Sequence, residues 1–587
     1  MLRRLNLWAA LLLLILTAKV EAEIPVDFLM NHDPEFQALD LIKVFQRDFK
    51  GLWLQALQRP EIDYQRKAAE TVARAHEYGI PDLIELVPVL ESILTNPDTH
   101  PSARFAAARA LIVLESRSSA PRLLEAGLDH GANLRQLVEP ALAAWNFAPA
   151  KDVWIQRLEG PRTTPQDLIL ALKGLGSTRE TTALSAISNI ALDILKPSYI
   201  RLEAAGAAGE IVDAGLEMEA ERLVRERRSR PLINRLCAVR LLARHSSEHA
   251  RRLLLELAGD KEPSLVAAAL RRLNEIAPEL VVPLAEEAMQ NPDPHVREAG
   301  ASAWILQPSA ERMPGLVRML DDDHPEIRKF VAEKICQLAE SPQLEQVIRA
   351  EAMQVLAGDR WQGQVQATLV LGTLDHKPAA DRFVELLESE RTDVMITAAW
   401  GLRKLAEPRT IPAILDRIQR QTTDWKIQVV PGVDEQVAHL FEACGTMHAL
   451  DAEPLMRKYA PKDVTRTMDL SRSAAIWALG RLHRGTLDAD LAAELVSRVR
   501  DGSDHPYESP LVKQMAVVAL VRMNAVESSA DLKSARAIHA PASALDLATC
   551  WAVRELTGEA LPAPVPQRFP DGEWFLEPLD VSSASLP

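Results

Sequence analysis

Arginine is the residue with the most chemical potential in this chain. Arg222, Arg225, Arg227, Arg228, Arg230, Arg235, Arg240, Arg244, Arg251 and Arg252 cluster in a protein of net charge −15. The run from Arg225 to Arg230 contains no Lys. Guanidinium forks match carboxylates and phosphates bidentately, so Arg225, Arg227, Arg228 and Arg230 form a candidate site for an anionic partner. The bland reading is a solvated loop paired locally with Glu221 and Glu226.

A second cluster, Asp321-Asp322-Asp323-His324, offers oxygen ligands to a hard cation. Its spacing matches no metal-binding loop, and a polar turn with a helix N-cap from Asp323 is the simpler expectation. His100, His324 and His505 each precede Pro, which points to turn chemistry rather than ligation. No metal site and no cofactor are expected. There is no H-E-x-x-H, no G-x-S-x-G and no G-K-[ST] motif. His76-Glu77 is followed by Tyr78-Gly79-Ile80 and lacks a second His. The sequence therefore reads as non-enzymatic.

The elements that position these groups are helices in a repeated phrase. Asn96-Pro97-Asp98 leads into an Ala-rich helix with Arg104. Asn291-Pro292-Asp293 leads into one with Arg297, and Asp322-Asp323-His324-Pro325 into one with Arg328. The step between the last two Arg is about one helix pair. Val296, Ala299, Gly300 and Ala303 share one helix face, as do Met313, Leu316, Val317 and Leu320. Pro308 separates the two. Aromatics are only 5% of residues, which suits closely stacked helices rather than sheets. The expected fold is all-α, an α-solenoid whose core grows in one dimension and escapes the size limit of a single globule.

The Asp/Pro turn, the Arg inside the first helix, and the apolar pattern of Ala107 with Ala110-Leu111 and Ala475 with Ala478-Leu479-Gly480 resemble HEAT repeats. Arg104, Arg201, Arg297 and Arg328 match the repeat Arg. The closer resemblance is to the short HEAT-like repeats first named for phycobilisome lyases, in an exported bacterial protein. It covers most of residues 96–540 and implies a scaffold for protein–protein contact. Lyase-type members handle a linear tetrapyrrole, and nothing here matches a chromophore site. The repeat Arg is expected to pack its stem between repeats and pair its head with a neighbouring Asp.

Four segments follow. Residues 1–22 read as a signal peptide, with Arg3 and Arg4 before the apolar run Leu7–Ala18 and small residues at Val20-Glu21-Ala22. The alternative is a retained N-terminal anchor. Cleavage removes three cations and one anion, taking the net charge from −15 to −17. That excess argues against a nucleic-acid partner. Residues 23–95 are expected to form a helical cap, with one helix over Glu35–Leu57, another from Ile62 and a third after Pro81. Residues 96–540 hold about a dozen repeats. Loops are expected around Asp424–Gly432 and Asp501–Pro510. Residues 541–587 begin with a helix through Leu556. A Pro-rich C-terminal strap with Phe569, Trp574, Phe575 and Leu576 follows.

Cys237, Cys336, Cys444 and Cys550 lie in apolar helical patterns, roughly 30 Å apart along such a stack. A disulfide spans at most about 7 Å between Cα atoms, so buried free thiols are expected despite export.

These features define an exported, periplasmic or extracellular scaffold that binds a protein partner through the solenoid surface. After signal cleavage no membrane span remains. The rivals are a lyase-like or accessory enzyme subunit holding a small ligand on the concave face, and attachment to the cell envelope through the basic loop.

Overall fold

The computed structural model describes residues 24–39, 42–43, 49–226, 230–425, 431–462, 468–502, 508–565 and 568–569. It is an all-α solenoid. Among the described residues, the two strands are Ile42–Lys43 and Arg568–Phe569, which pair in parallel. The chain divides into two compact units. The C-terminal unit is Met1–Leu41, Ala285–Gln290 and Ala301–Gln567, and the N-terminal unit is Ile42–Leu284, Asn291–Gly300 and Arg568–Pro587.

In the N-terminal unit, alternate helices stack. Ile62–Glu77 packs on Pro101–Val113, which packs on Ala132–Ala144, then Pro165–Ser177, Ser198–Ile211, Pro231–Leu241 and Pro263–Ile276. The intervening helices, such as Val87–Thr95 and Leu184–Leu192, each pack against the helix that follows. In the C-terminal unit the same order runs through Pro325–Leu338, Trp361–Thr373, Thr392–Leu405, Val433–Thr446, Asp469–Leu482, Pro510–Arg522 and Ala544–Thr557.

Three devices recur at the ends of these helices. The first is an Asx turn: the Asn96 carboxamide accepts from the Asp98 N–H at 3.0 Å, Asn291 from Asp293 at 2.9 Å, and Asp322 from His324 at 2.8 Å. The second is Pro at the first helical position, where the missing N–H costs nothing. The third is a left-handed residue that lets the next N–H reach back five residues. Glu115, Asn146, Arg179, Asp375, His448 and Asn524 hold positive φ, and the residue after each bonds Leu111, Leu142, Leu175, Leu371, Cys444 and Leu520 in turn.

The repeat Arg is structural, and main-chain carbonyls are prominent among its partners. Arg104 donates to the carbonyls of Leu94, Asn96 and Pro97, and Arg201 to that of Ala191. Arg297 and Arg328 donate to the carbonyls of Asn291–Pro292 and Asp322–Asp323. The head thus satisfies carbonyls around the end of the preceding helix, where the backbone leaves acceptors free. Arg472 does the same to Tyr459 and Ala460 and adds a buried pair with Glu508 at 2.8 Å.

The turn at Asp321–His324 also departs from its expected form. His324, not Asp323, is the N-cap residue, and its side chain makes no capping bond. Arg360 of the next repeat ties Asp321 and Asp323 together.

The largest departure lies at the N-terminal end. A helix over Glu35–Leu57 is not what forms. Residues 36–39 carry no helix, Ile42–Lys43 is a strand, and the helix described in this stretch is Phe49–Gln58. Residues 24–39 form an arm with one short 3-10 turn at Leu29–Asn31, and they belong to the C-terminal unit. Long-range partners override the local apolar spacing: the Leu39 N–H bonds the Ala542 carbonyl at 3.0 Å, and Phe36 packs on Trp551 at 5.5 Å. The second and third expected helices are present as Ile62–Glu77 and Val87–Thr95.

All four Cys are free thiols. Cys237 and Cys444 are buried, while Cys336 and Cys550 are only half-buried. Burial pushes the Cys237 thiol up to about 11 and the Cys336 and Cys444 thiols to about 12. Helix Ala544–Thr557 matches the expected C-terminal helix. Trp574, Phe575 and Leu576 of the C-terminal strap lie outside the described residues, as do the central parts of the two expected loops.

Candidate functional site: a helix face that holds an extended arm

The arm lies across five successive helices of the C-terminal unit: α1 (Thr392–Leu405), α2 (Val433–Thr446), α3 (Asp469–Leu482), α4 (Pro510–Arg522) and α5 (Ala544–Thr557). These helices can stack closely because small residues face their neighbours. A Cβ added at Gly445 would lie 2.8 Å from Ala478 Cβ, and one at Gly480 would lie 2.6 Å from Ala519 Cα.

Stacking brings one register of each helix to the arm. Trp400, His439 and Trp477 follow one another at intervals of 39 and 38 residues. Arg403, Glu442, Arg481 and Arg522 follow at 39, 39 and 41. Arg403, Glu442 and Arg481 lie three or four positions after Trp400, His439 and Trp477, so each pair shares a helix face, and Arg522 extends the second row onto α4.

These side chains hold the arm at three stations. At the first, Arg403 Nη2 donates to the Asp27 carbonyl at 2.8 Å and to its carboxylate at 2.9 Å. Trp400 Nε1 points to the same carboxylate at 3.4 Å. Burial raises the Asp27 carboxyl, but the Arg403 charge and bond and the Trp400 bond together hold it below its usual value.

The second station is fully buried. The Met30 N–H donates to Glu442 Oε1 at 2.8 Å, and Met30, His439 and Glu442 are all 0% exposed. Phe28 stacks on the His439 ring at 4.3 Å. His439 Nδ1 lies 3.4 Å from Glu442 Oε2, and Arg403 Nε lies 3.5 Å from the same oxygen. Burial holds His439 below its usual value, against the opposing pull of Glu442.

At the third station the Asp33 carbonyl accepts from Trp477 Nε1 at 3.1 Å and Arg522 Nη2 at 2.7 Å. Its carboxylate faces Arg481 at 2.9 Å and Arg522 at 2.8 Å. Both guanidiniums also lie about 5 Å from the Trp477 ring, where cation–π attraction fixes them.

The arrangement reads an extended chain through its backbone and two carboxylates. The sequence carried a signal for it: Trp400-Gly401-Leu402-Arg403 and Trp477-Ala478-Leu479-Gly480-Arg481 recur one double repeat apart in a chain with few aromatics.

The basic run is placed differently. Arg225 bridges Glu221 at 3.5 Å and Glu256 at 2.5 Å while half exposed. Arg230 caps the helix Pro231–Leu241 with φ 47° and donates to the Lys196 carbonyl at 3.3 Å. Arg227 and Arg228 lie outside the described residues. Arg225 and Arg230 are thus engaged with neighbouring repeats.

Two other clusters are already tied up by their neighbours. Glu453, His483 and Asp488 could converge on a cation, but Arg457 already bonds both carboxylates. A depression of about 880 Å³ in the N-terminal unit is lined by Arg66, Glu70, Arg104, Phe105 and His130. Arg66 is tied to Glu70 and Asp63, and Arg104 to main-chain carbonyls.

Residues 349–429 match a family model described as HEAT repeats, and residues 313–341 one described as a HEAT repeat. The chain thus carries HEAT repeats within an α-solenoid. No curated protein matches the sequence. Among solved structures, the chain resembles Kap95p in a structure concerned with RanGDP and nuclear import complex assembly, at 12% identity and TM-score 0.55. That match covers 86% of this chain and 72% of the other. Importin beta matches at 13% identity and TM-score 0.51, with 86% and 72% covered. Kap95 in a complex with Nup1 matches at 12% identity and TM-score 0.52 over the same shares. Likeness at this identity describes the fold. No helix among the described residues is long and apolar enough to cross a membrane.

Proposed function

We propose that this chain is an exported, non-catalytic scaffold that binds protein partners through its helical surface. The observation that carries the reading is the arm: a face of five helices already binds an extended polypeptide segment through main-chain and carboxylate contacts. The solenoid neighbours support it, since they are described in complexes with other proteins. The finer likeness to the short repeats of lyase type rests on Arg104, Arg201, Arg297 and Arg328 and their turns. Export rests on Arg3, Arg4 and the apolar run Leu7–Ala18.

Affinity capture from the exported fraction tests the scaffold reading, with partners identified by mass spectrometry. A specific protein retained by the full chain is expected. Retention of none, or turnover of a small molecule by the purified chain, argues against it. N-terminal sequencing of the exported form tests the signal, with Glu23 as the expected first residue. An intact Met1 on a membrane-bound form points instead to the anchor.

A further inference from the structure

We infer that the arm's site is an exchange site: the α1–α5 face takes an extended acidic segment of a protein partner in place of the arm. This deepens the scaffold reading and rests on it. Three observations support the identity of the occupant.

The first is charge. Residues 24–39 contain Asp27, Asp33 and Glu35 and no Lys or Arg. The face they lie on presents Arg403, Arg481 and Arg522, although the protein as a whole is acidic. A segment without carboxylates at the two stations would leave Arg481 and Arg522 without the counter-charge of Asp33, and Arg403 with Glu442 alone.

The second is the kind of contact. Much of the polar recognition falls on the backbone: the carbonyls of Asp27 and Asp33 and the N–H of Met30. Backbone bonds can be made by any extended chain. Selectivity then rests on Asp at two positions six apart, an aromatic for His439, and an apolar side chain in the Met30 socket. Few constraints of this kind suit a site that accepts a foreign segment.

The third is the arm's own makeup. It has a single 3-10 turn of three residues, and Val26, Asn31, His32 and Glu35 are exposed. Its hold comes from discrete stations rather than from a folded core. Such a segment can be displaced one station at a time by a competitor of matching chemistry.

The test uses the full chain throughout. The probe is a fluorescein-labelled peptide of residues 24–39, compared with the same peptide carrying Asp27→Asn and Asp33→Asn. The hosts are the unchanged chain, a chain with its own arm weakened by Asp27→Asn, Phe28→Ala and Asp33→Asn, and that variant with Arg481→Gln added. Hydrogen exchange at the Met30 amide reports release of the arm. The native peptide should bind the weakened-arm host at least about tenfold more tightly than it binds the unchanged chain. The Arg481→Gln host should lose about tenfold, the effect of one charge-assisted bond, and the Asn peptide, which gives up two carboxylates, at least as much. Saturating peptide should also displace the protein captured by the chain.

Equal binding of both peptides overturns the proposal, as does no binding once the Met30 amide exchanges freely. A Met30 amide that stays protected in the triple variant means that these contacts do not hold the arm, and the proposal falls. If the weakened chains instead pair by exchanging arms and exclude the peptide, the face serves self-association, and the hetero-partner is wrong. If the peptide binds but the captured protein stays, that partner uses another surface: the scaffold reading survives and this inference does not. If the peptide binds as expected and no protein is ever captured, the scaffold reading fails while the peptide site stands.

Discussion

Helix α3 and helix Pro101–Val113 occupy the same place in their repeats, yet only one is buried all round. In both, the repeat Arg sits near the start, Arg472 in one and Arg104 in the other. Counting from that Arg, Ser473, Trp477 and Arg481 correspond to Phe105, Arg109 and Val113. In α3, every residue from Ser471 to Gly480 is buried. In Pro101–Val113, Pro101, Phe105 and Arg109 form an exposed stripe. The helix Ser198–Ile211 shows a third version, with Gly206 at the register of Trp477 and nothing within 4 Å of a Cβ built there. The repeat thus dictates two faces of each helix, and the third is free to vary. Where it carries Trp and Arg, an extended segment covers it. Where it carries Gly or a solvated Arg, it does not need cover.

The strongest way to break this comparison is Trp477→Ala. The indole is 0% exposed, donates to the Asp33 carbonyl and supports two guanidiniums. Loss should cost about 3–5 kcal/mol in denaturant unfolding and speed hydrogen exchange in the arm. Phe105→Ala, on the open stripe and 38% exposed, should cost much less. Equal costs would show that the stripe does not differ between the two regions.

A pair of glycine variants sharpens the same point. Gly480→Val drives a side chain against Ala519, whose Cα lies 2.6 Å from the ideal Cβ position, so the helices must separate. A loss of about 2–3 kcal/mol is expected. Gly206→Ala meets open space and should instead gain up to about 1 kcal/mol from helix propensity. Chemical denaturation of both variants decides it, and a loss at Gly206 would contradict the open face.

How much of this was legible follows from the range of each interaction. The turns at Asn96–Asp98 and Asn291–Asp293 were readable because an Asx turn closes within two residues. The repeat Arg was readable as structural, but its partner was not. Leu94 and Ala191 each lie ten residues before the Arg and offer only backbone, which a side-chain pattern does not display. The arm was misread because Phe36, Leu39 and Ile42 have helical spacing. Their actual partners are Trp551, Ala542 and Arg568 in turn, over five hundred residues on.

Acid should expose the second station. His439 is buried among Glu442, Arg403, Asp27 and Phe28, and burial keeps its folded value below the ordinary 6.5. Between those two values the unfolded chain binds the proton and the folded chain does not, so stability falls as pH drops below about 6.5. His245, His376 and His539 shift the same way and add to the slope. Asp27 works in a separate window: its folded value lies below 3.8, so its contribution holds above that pH and is lost only in stronger acid. His439→Gln should flatten part of the decline between pH 6.5 and 5, measured by denaturant midpoints. An unchanged slope would place the proton uptake elsewhere.

The smallest effect is expected at the basic loop. Arg225 lies on the surface between Glu221 and Glu256, and exposed pairs of this kind contribute little because water and salt screen them. Arg230 contributes a capping position in the left-handed region, which Ser tolerates no worse than Arg. Changing Arg225, Arg227, Arg228 and Arg230 to Ser together should therefore leave the melting temperature nearly unchanged. Any role for these residues lies in contact with an anionic partner, and that contact weakens as salt rises. Capture by the quadruple variant should fall below that of the unchanged chain at low ionic strength, and the two should converge at high salt. If capture is equal at low salt, these Arg are solvated surface. Selection of partners then rests on faces such as the Trp400–Trp477 register, where Arg403 and Arg522 are largely buried against the carboxylates of the arm.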